Sequence, residues 1–407
     1  MALRYWVGGS ATWNATAGTK WATTSGGAGG AAVPTSADDV FFDAASGAVT
    51  ITLGVTGTAK TFTCTGFTGT FAMSTFQLTM SGDVTLVNTM TLSGTNTTGF
   101  SMGTSCNVTT GGITIPVVFT FGTSLTFTLI DDFNTTSNVR HGATTFNGNQ
   151  IKLLTNSNFL NVVNNTTCLG TTIINITGGN VTIGANSTSI NSGIALDIII
   201  NSSGTVTFRQ DSNAGGGAFG IGGTKTMQYL GGTLIFSCAY FRIVSGGTYT
   251  FDMAGQSIPA LTMAVSSNLS FTSLLNIIGT FSLINDNITI SGAAGFDCGT
   301  LSLTAVLAVT RTLTLTSGNT YNIGEFIVTG SSNSFRFVVA SSTPGVQAIL
   351  TLSPAGTQNV MYTNATDIDS SAGQTIWSFQ QVVSNTLNWG NLNVSNIGGG
   401  GTFTFVN

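Results

Sequence analysis

The chain reads as a long run of short segments in which apolar residues alternate with threonine or serine. Val49-Thr50-Ile51-Thr52-Leu53, Phe76-Gln77-Leu78-Thr79-Met80 and Leu125-Thr126-Phe127-Thr128-Leu129 set the pattern. Val181-Thr182-Ile183, Val206-Thr207-Phe208, Leu301-Ser302-Leu303 and Leu313-Thr314-Leu315 continue it. A period of two sends successive side chains to opposite faces of an extended strand, so each segment predicts a β-strand with one buried face and one face of hydroxyls. Threonine suits the outer face because it packs well on a pleated surface without bringing charge.

Glycine pairs punctuate the strands. Thr110-Gly111-Gly112-Ile113-Thr114-Ile115, Thr177-Gly178-Gly179-Asn180-Val181-Thr182-Ile183, Leu230-Gly231-Gly232-Thr233-Leu234-Ile235 and Ser245-Gly246-Gly247-Thr248-Tyr249-Thr250-Phe251 use one device, a tight turn followed by a short strand. The pairs are 67, 53 and 15 residues apart, so the repeat is degenerate. Short threonine-rich strands with frequent glycine turns predict an all-β fold, a parallel β-solenoid (β-helix) with coils of roughly 20–30 residues. Each strand then pairs with its equivalent one coil on. β-Sandwich domains or a β-prism fibre are the competing architecture.

Solenoids need atypical terminal units to cover the open ends of the stack. The tryptophans mark such units: Trp6, Trp13 and Trp21 lie near one end, Trp377 and Trp389 near the other, and none lies between. These five are the candidate capping and assembly residues. The expected organisation is a cap at 1–45, a solenoid body at 46–344 and a different β unit at 345–407.

Composition narrows the picture. Of 407 residues, 53 are Gly and only 6% are charged, against roughly 25% in ordinary soluble proteins. Glu325 is the single glutamate. A mostly helical protein is excluded, because apart from alanine the strong helix formers are scarce. With 42% hydrophobic residues and a mean hydropathy of +0.36, intrinsic disorder is excluded too. Apolar stretches such as 194–200 and 236–244 are broken by Asp197 and Arg242 and fall short of the roughly 18 residues of a membrane helix. The net charge of −4 comes from scattered single charges, which argues against a nucleic-acid partner. Cys64, Cys106, Cys168, Cys238 and Cys298 are odd in number and outside metal-type spacing, and are expected to be small buried apolar residues. The first residues contain no apolar segment of the signal-peptide kind, which fits release inside a virus particle on lysis.

Residues 1–43 carry Trp6-Val7-Gly8-Gly9, Thr12-Trp13-Asn14, Trp21, Val33-Pro34-Thr35 and Asp38-Asp39-Val40-Phe41-Phe42-Asp43. This order and spacing resembles the opening of bacterial and phage surface β-helix proteins, of the adhesin and autotransporter-passenger type. Asp367-Ile368-Asp369-Ser370-Ser371-Ala372-Gly373-Gln374-Thr375-Ile376-Trp377, followed by Asn388-Trp389, looks like their closing segments. With no export signal and no recognisable membrane-anchoring barrel, the resemblance favours phage tail fibres, spikes or capsid appendages. It implies a structural virion protein that mediates attachment or particle stabilisation, with a bacterial surface adhesin as the alternative. It further implies a homotrimer whose partners are other virion proteins and a host surface glycan, located in the virion or, on the alternative, at the bacterial cell surface.

Candidate chemistry is thin, and the expectation is a non-enzyme without cofactor or metal. His141, the only histidine, has no Gly-x-Ser-x-Gly elbow to serve and is expected in a polar turn. A polysaccharide depolymerase, the least favoured reading, would need two carboxylates across a groove. Asp131 and Asp132, as neighbours on a strand, would face opposite ways. Asp38-Asp39 is a second pair, and Asp367 and Asp369 could share a face. Asp367, Asp369 and Ser371 begin like a calcium loop, but Ala372 stands where glycine belongs and Ser378 where a bidentate glutamate belongs. The glycine runs at 25–30, 214–223 and 398–401 lack the lysine and the flanking elements of a phosphate loop. Asn134-Thr135-Thr136 and Asn175-Ile176-Thr177 match the glycosylation tripeptide, as chance allows in a chain this rich in Asn and Thr.

Overall fold

The computed structural model describes residues 2–392 except 17, 95–98, 142–143, 155–157, 162–166, 170–172, 179–180, 186–196, 211–217, 222–224, 238–239, 244–246, 264–265, 285–286, 306–308, 331, 333 and 380–381. The chain divides into two compact units, Met1–Ala239 and Tyr240–Asn407. Each is a stack of parallel coils, so the chain forms the expected β-solenoid. Among described residues the only helix is the 3-10 turn Ala44–Ser46, capped by Asp43. Among the described residues no helix is long and apolar enough to cross a membrane.

In the first unit the strands Asp39–Phe41, Thr61–Thr63, Val84–Thr85, Cys106–Thr109, Thr126–Leu129 and Thr145–Gly148 lie side by side in that order. The register aligns Val40, Phe62, Val84, Val108 and Leu129, residues 22, 22, 24 and 21 apart. One coil is therefore about this long. The sequence alternation becomes columns in space. Thr63, Thr85 and Thr109 stack on the outer face while Val40, Phe62 and Val84 stack fully buried behind them. Opposite them, Met80, Met102, Phe121 and His141 form another inward column.

The core of this unit is an aromatic file. Ring centroids are 5.1 Å apart for Phe42–Phe62, 6.0 Å for Phe62–Phe100, 5.0 Å for Phe100–Phe119 and for Phe119–Phe121, and 4.9 Å for Phe121–Phe146. Each such pair contributes about 0.5–1.5 kcal/mol beyond the area it removes from water. Inward positions of successive coils lie about 4.8 Å apart, which brings rings on neighbouring coils into contact, while Phe119 and Phe121 meet along one strand.

The second unit has two principal strand columns. On one, Tyr249, Leu269 and Ile290 align at intervals of 20 and 21 residues, and Leu313, Val339 and Ala365 at 26 and 26. The other contains Leu275–Ile284, Phe296–Thr304, Thr320–Thr329 and Ala348–Met361, longer strands that turn a corner of the coil midway. Every described strand pairing but one is parallel, which excludes the sandwich and prism alternatives. The exception is Leu3–Trp6 with Trp21–Ala22.

Candidate functional site

The amino-terminal tryptophans come together. Leu3–Trp6 pairs in parallel with Asp39–Phe41 on one side and antiparallel with Trp21–Ala22 on the other, so the edge of the strand is covered. Trp6 and Trp21 meet edge to face at 5.1 Å, Trp13 and Trp21 at 4.9 Å, and all three are buried against Phe42. Asp38 ties the segment down. Its carboxylate accepts from Ala2 N, Thr35 N and Thr35 Oγ1 at 2.9–3.0 Å, with Arg4 3.8 Å away. Burial pushes Asp38 up, but these hydrogen bonds and the Arg4 charge outweigh it and hold the carboxyl below its ordinary value.

Trp377 and Trp389 sit differently. They occupy neighbouring strands, Ile376–Phe379 and Trp389–Leu392, on opposite faces, because Ile376 aligns with Trp389 and Trp377 with Gly390. Trp389 turns inward, donating from Nε1 to Ser370 Oγ at 2.8 Å and meeting Phe326 edge to face at 6.2 Å. Trp377 lies outward over Gly390 and is 46% exposed.

The candidate acids are engaged by separate hydrogen-bond partners. Asp131 accepts from Thr110 N and Oγ1, whereas Asp132 accepts from Gln150 N and pairs with Lys152 at 2.6 Å, so the two carboxylates serve different partners. Asp39 accepts from Thr61 Oγ1. Asp367 does not follow strand alternation: its φ is 56°, and its buried carboxylate takes hydrogen bonds from Gly345 N and Asn385 Nδ2. Asp369 instead accepts from Ser371 N, closing its own turn. No cluster of metal-ligating side chains occurs among the described residues. His141 is not in a polar turn. It ends the strand Asn138–His141, fully buried, with its ring edge to face on Phe146 at 5.9 Å.

Of the cysteines, Cys64, Cys106 and Cys298 are free thiols, the first and last buried and Cys106 half-buried. Burial raises Cys64, and burial with Asp83 nearby pushes Cys106 up to about 12. The side chains of Cys168 and Cys238, and the glycine runs 214–223 and 398–401 apart from 218–221, lie outside the described residues.

A recess that the sequence did not single out lies on the second unit. Its volume is about 330 Å³, and Asn276, Ile278, Asp297, Asn322, Thr351 and Ser353 are among its lining residues. Four coils build it with one motif: Asn276-Ile277-Ile278-Gly279-Thr280, Asp297-Cys298-Gly299-Thr300, Asn322-Ile323-Gly324-Glu325, and Thr351-Leu352 leading through Ser353-Pro354-Ala355 to Gly356-Thr357. Asn276, Asp297, Asn322 and Thr351 align across the coils, and so do Thr280, Thr300, Glu325 and Thr357 beyond the corner.

The two outer coils carry extra residues and the two middle ones do not. Ile277 aligns with Cys298 and Thr280 with Thr300, so Ile278 is extruded as a bulge and is 73% exposed. At the other end, Ile323 aligns with Leu352 and Glu325 with Thr357, which loops out Ser353, Pro354 and Ala355. Between these walls Gly324 lines the recess without a side chain, and Gly299 holds the equivalent place one coil before it. They cannot be otherwise: a Cβ on Gly324 would stand 2.6 Å from Gly299 O, and one on Gly299 would stand 2.6 Å from Ile278 O.

The lining mixes polar side chains with Ile277, Ile278, Cys298 and Ile323, most of its accessible surface is apolar, and Asp297 is its one charged residue. Asn322 Nδ2 donates to Asp297 Oδ1 at 2.7 Å and Asn276 Nδ2 to Gly255 O at 2.9 Å. Beyond the corner, Glu325 is clamped by Thr300 Oγ1 at 3.0 Å and Thr357 Oγ1 at 2.7 Å. Compared with protein-family models, curated proteins and solved structures, the chain finds no match.

Proposed function

We propose that the chain is a non-enzymatic structural protein of a phage-like particle, displayed as a fibre, spike or capsid decoration, that mediates attachment through the outer face of its solenoid. The observation that carries this reading is the pairing of stacked parallel coils with an outer face of uncharged Thr, Asn and Ser columns. Such a body holds surface groups at a fixed spacing and order, as an attachment surface requires, and its low charge lets it approach another surface without desolvating ions.

Mass spectrometry of purified virions tests the location: peptides of this chain should be present. Their absence from particles, with presence on bacterial envelopes, favours the adhesin reading instead. The trimer belongs to the same proposal. Light scattering should give three times the 41.6 kDa chain mass, and a mass of one or two chains that does not rise on concentrating overturns it.

A further inference from the structure

We infer that the recess lined by residues 276–278, 297–298, 322–324, 351 and 353 is a binding site for a neutral, hydroxyl-rich glycan strand lying along the stacking direction. The inference deepens the attachment reading and rests on it for its biological sense, though not for its chemistry.

Dimensions come first. The walls stand three coil steps apart, roughly 14 Å at about 4.8 Å per step, a length that spans about two or three pyranose rings. The volume of about 330 Å³ falls at the lower end of the roughly 300–1,000 Å³ of ligand sites.

The chemistry of the walls selects the ligand. After the internal hydrogen bonds are counted, Asn276 Oδ1, Asp297 Oδ2, Asn322 Oδ1 and the hydroxyls of Thr351 and Ser353 have no protein partner among the described residues. With the second N–H of Asn276 Nδ2 and of Asn322 Nδ2 they offer both acceptors and donors, on coils one step apart, and they call for a ligand that donates and accepts repeatedly along its length, as hydroxyls do. Ile278, 73% exposed at the rim, offers an apolar surface to the C–H face of a sugar ring.

Other ligand classes fit less well. A cation needs oxygens that converge at about 2.3–2.6 Å, whereas these lie on separate coils about 4.8 Å apart. A polyanion meets Asp297 and no basic residue in the lining. An extended peptide would bind by strand addition, but the strands that form the floor are already paired on both sides.

The test is isothermal titration calorimetry on the full chain. The probes are neutral oligosaccharides of glucose, galactose and mannose, a uronic-acid oligosaccharide and calcium chloride. At least one neutral probe should bind, and the outward-facing triple variant Asp297→Ala, Asn322→Ala, Thr351→Val should weaken it at least about tenfold. Ile130→Ser, on an exposed residue of the other unit, should leave binding unchanged, as should raising salt to about 0.5 M, because no ion pair is involved. Should the triple variant lose its fold by circular dichroism, Thr351→Val and Ile278→Ser made singly take its place, each weakening binding severalfold.

Failure of every neutral probe to bind overturns the inference. So does binding indifferent to the variants, tighter binding of the uronic-acid probe, or binding that chelation abolishes. Glycan binding by a chain absent from virions would sink the virion reading and leave this site standing. Virions carrying the chain but giving no signal with any probe would do the reverse.

Discussion

Burial separates residues of the same type. Trp13 is 1% exposed inside a cluster of four rings, and Trp377 is 46% exposed on an outer face. Trp13→Ala leaves a cavity that the rigid coils cannot close and should destabilise the first unit by about 3–5 kcal/mol. Trp377→Ala should cost less than about 1 kcal/mol. Denaturant midpoints for the two variants check this, and equal losses would contradict the packing described. Asp38 gives a pH-dependent counterpart. Its carboxyl is held below the ordinary value, so the stability it adds is present above the unfolded pKa of about 3.9 and is lost as pH falls through the lower folded value. Asp38→Asn should therefore be less stable than the parent at pH 7, with the gap closing once pH drops below about 4. Urea titrations followed by tryptophan fluorescence at pH 7 and pH 3 measure that gap, and a constant gap would refute the assignment.

At the scale of elements, the coils approach closely at Gly299 and Gly324, midway along the longer strands, and Gly324 lines the recess. Gly324→Ala drives a Cβ against a backbone carbonyl that cannot rotate away, and should cost roughly 1–3 kcal/mol. Thermal unfolding measures it, and a neutral result would mean the coils are looser than described. How far such elements were legible depends on the kind of signal. Strands and coil architecture could be read because period-two alternation survives in almost every coil, and Trp6, Trp13 and Trp21 could be placed together because a stack must begin somewhere. His141 was misplaced because Arg140 and Gly142 flank it like turn residues, and only the register shows that it continues the column of Met80, Met102 and Phe121. Asp367 was expected to share a face with Asp369, but its left-handed backbone breaks the alternation on which that expectation rests. The recess was missed for another reason. Its motif recurs at unequal intervals of 21, 25 and 29 residues, and its defining feature is side chains that are not there. The recurrence of a polar residue, an apolar residue and a glycine after Leu275, Phe296 and Tyr321 was the available signal.

For the whole molecule, resistance to proteolysis follows from the hydrogen-bonding pattern. Inside each unit a strand is bonded on both sides to neighbouring coils, so exposing one cleavable segment means breaking two ladders at once. A broad-specificity protease should therefore leave large fragments of both units after hours, and complete digestion within minutes at room temperature would contradict this. Trypsin is a poor probe, since the chain holds only 10 Lys and Arg.

The aligned columns also set a rule for how the gene can change length. In a stack where each coil touches only its neighbours, duplicating or deleting one whole coil, about 21 residues in the first unit, rejoins every column with its own kind. A one-residue insertion within a strand turns its threonines inward and its phenylalanines to solvent. Viable length variants of this protein should therefore be quantised in coils, with the shorter exceptions confined to bulges such as Ile278, where an extra residue already has somewhere to go.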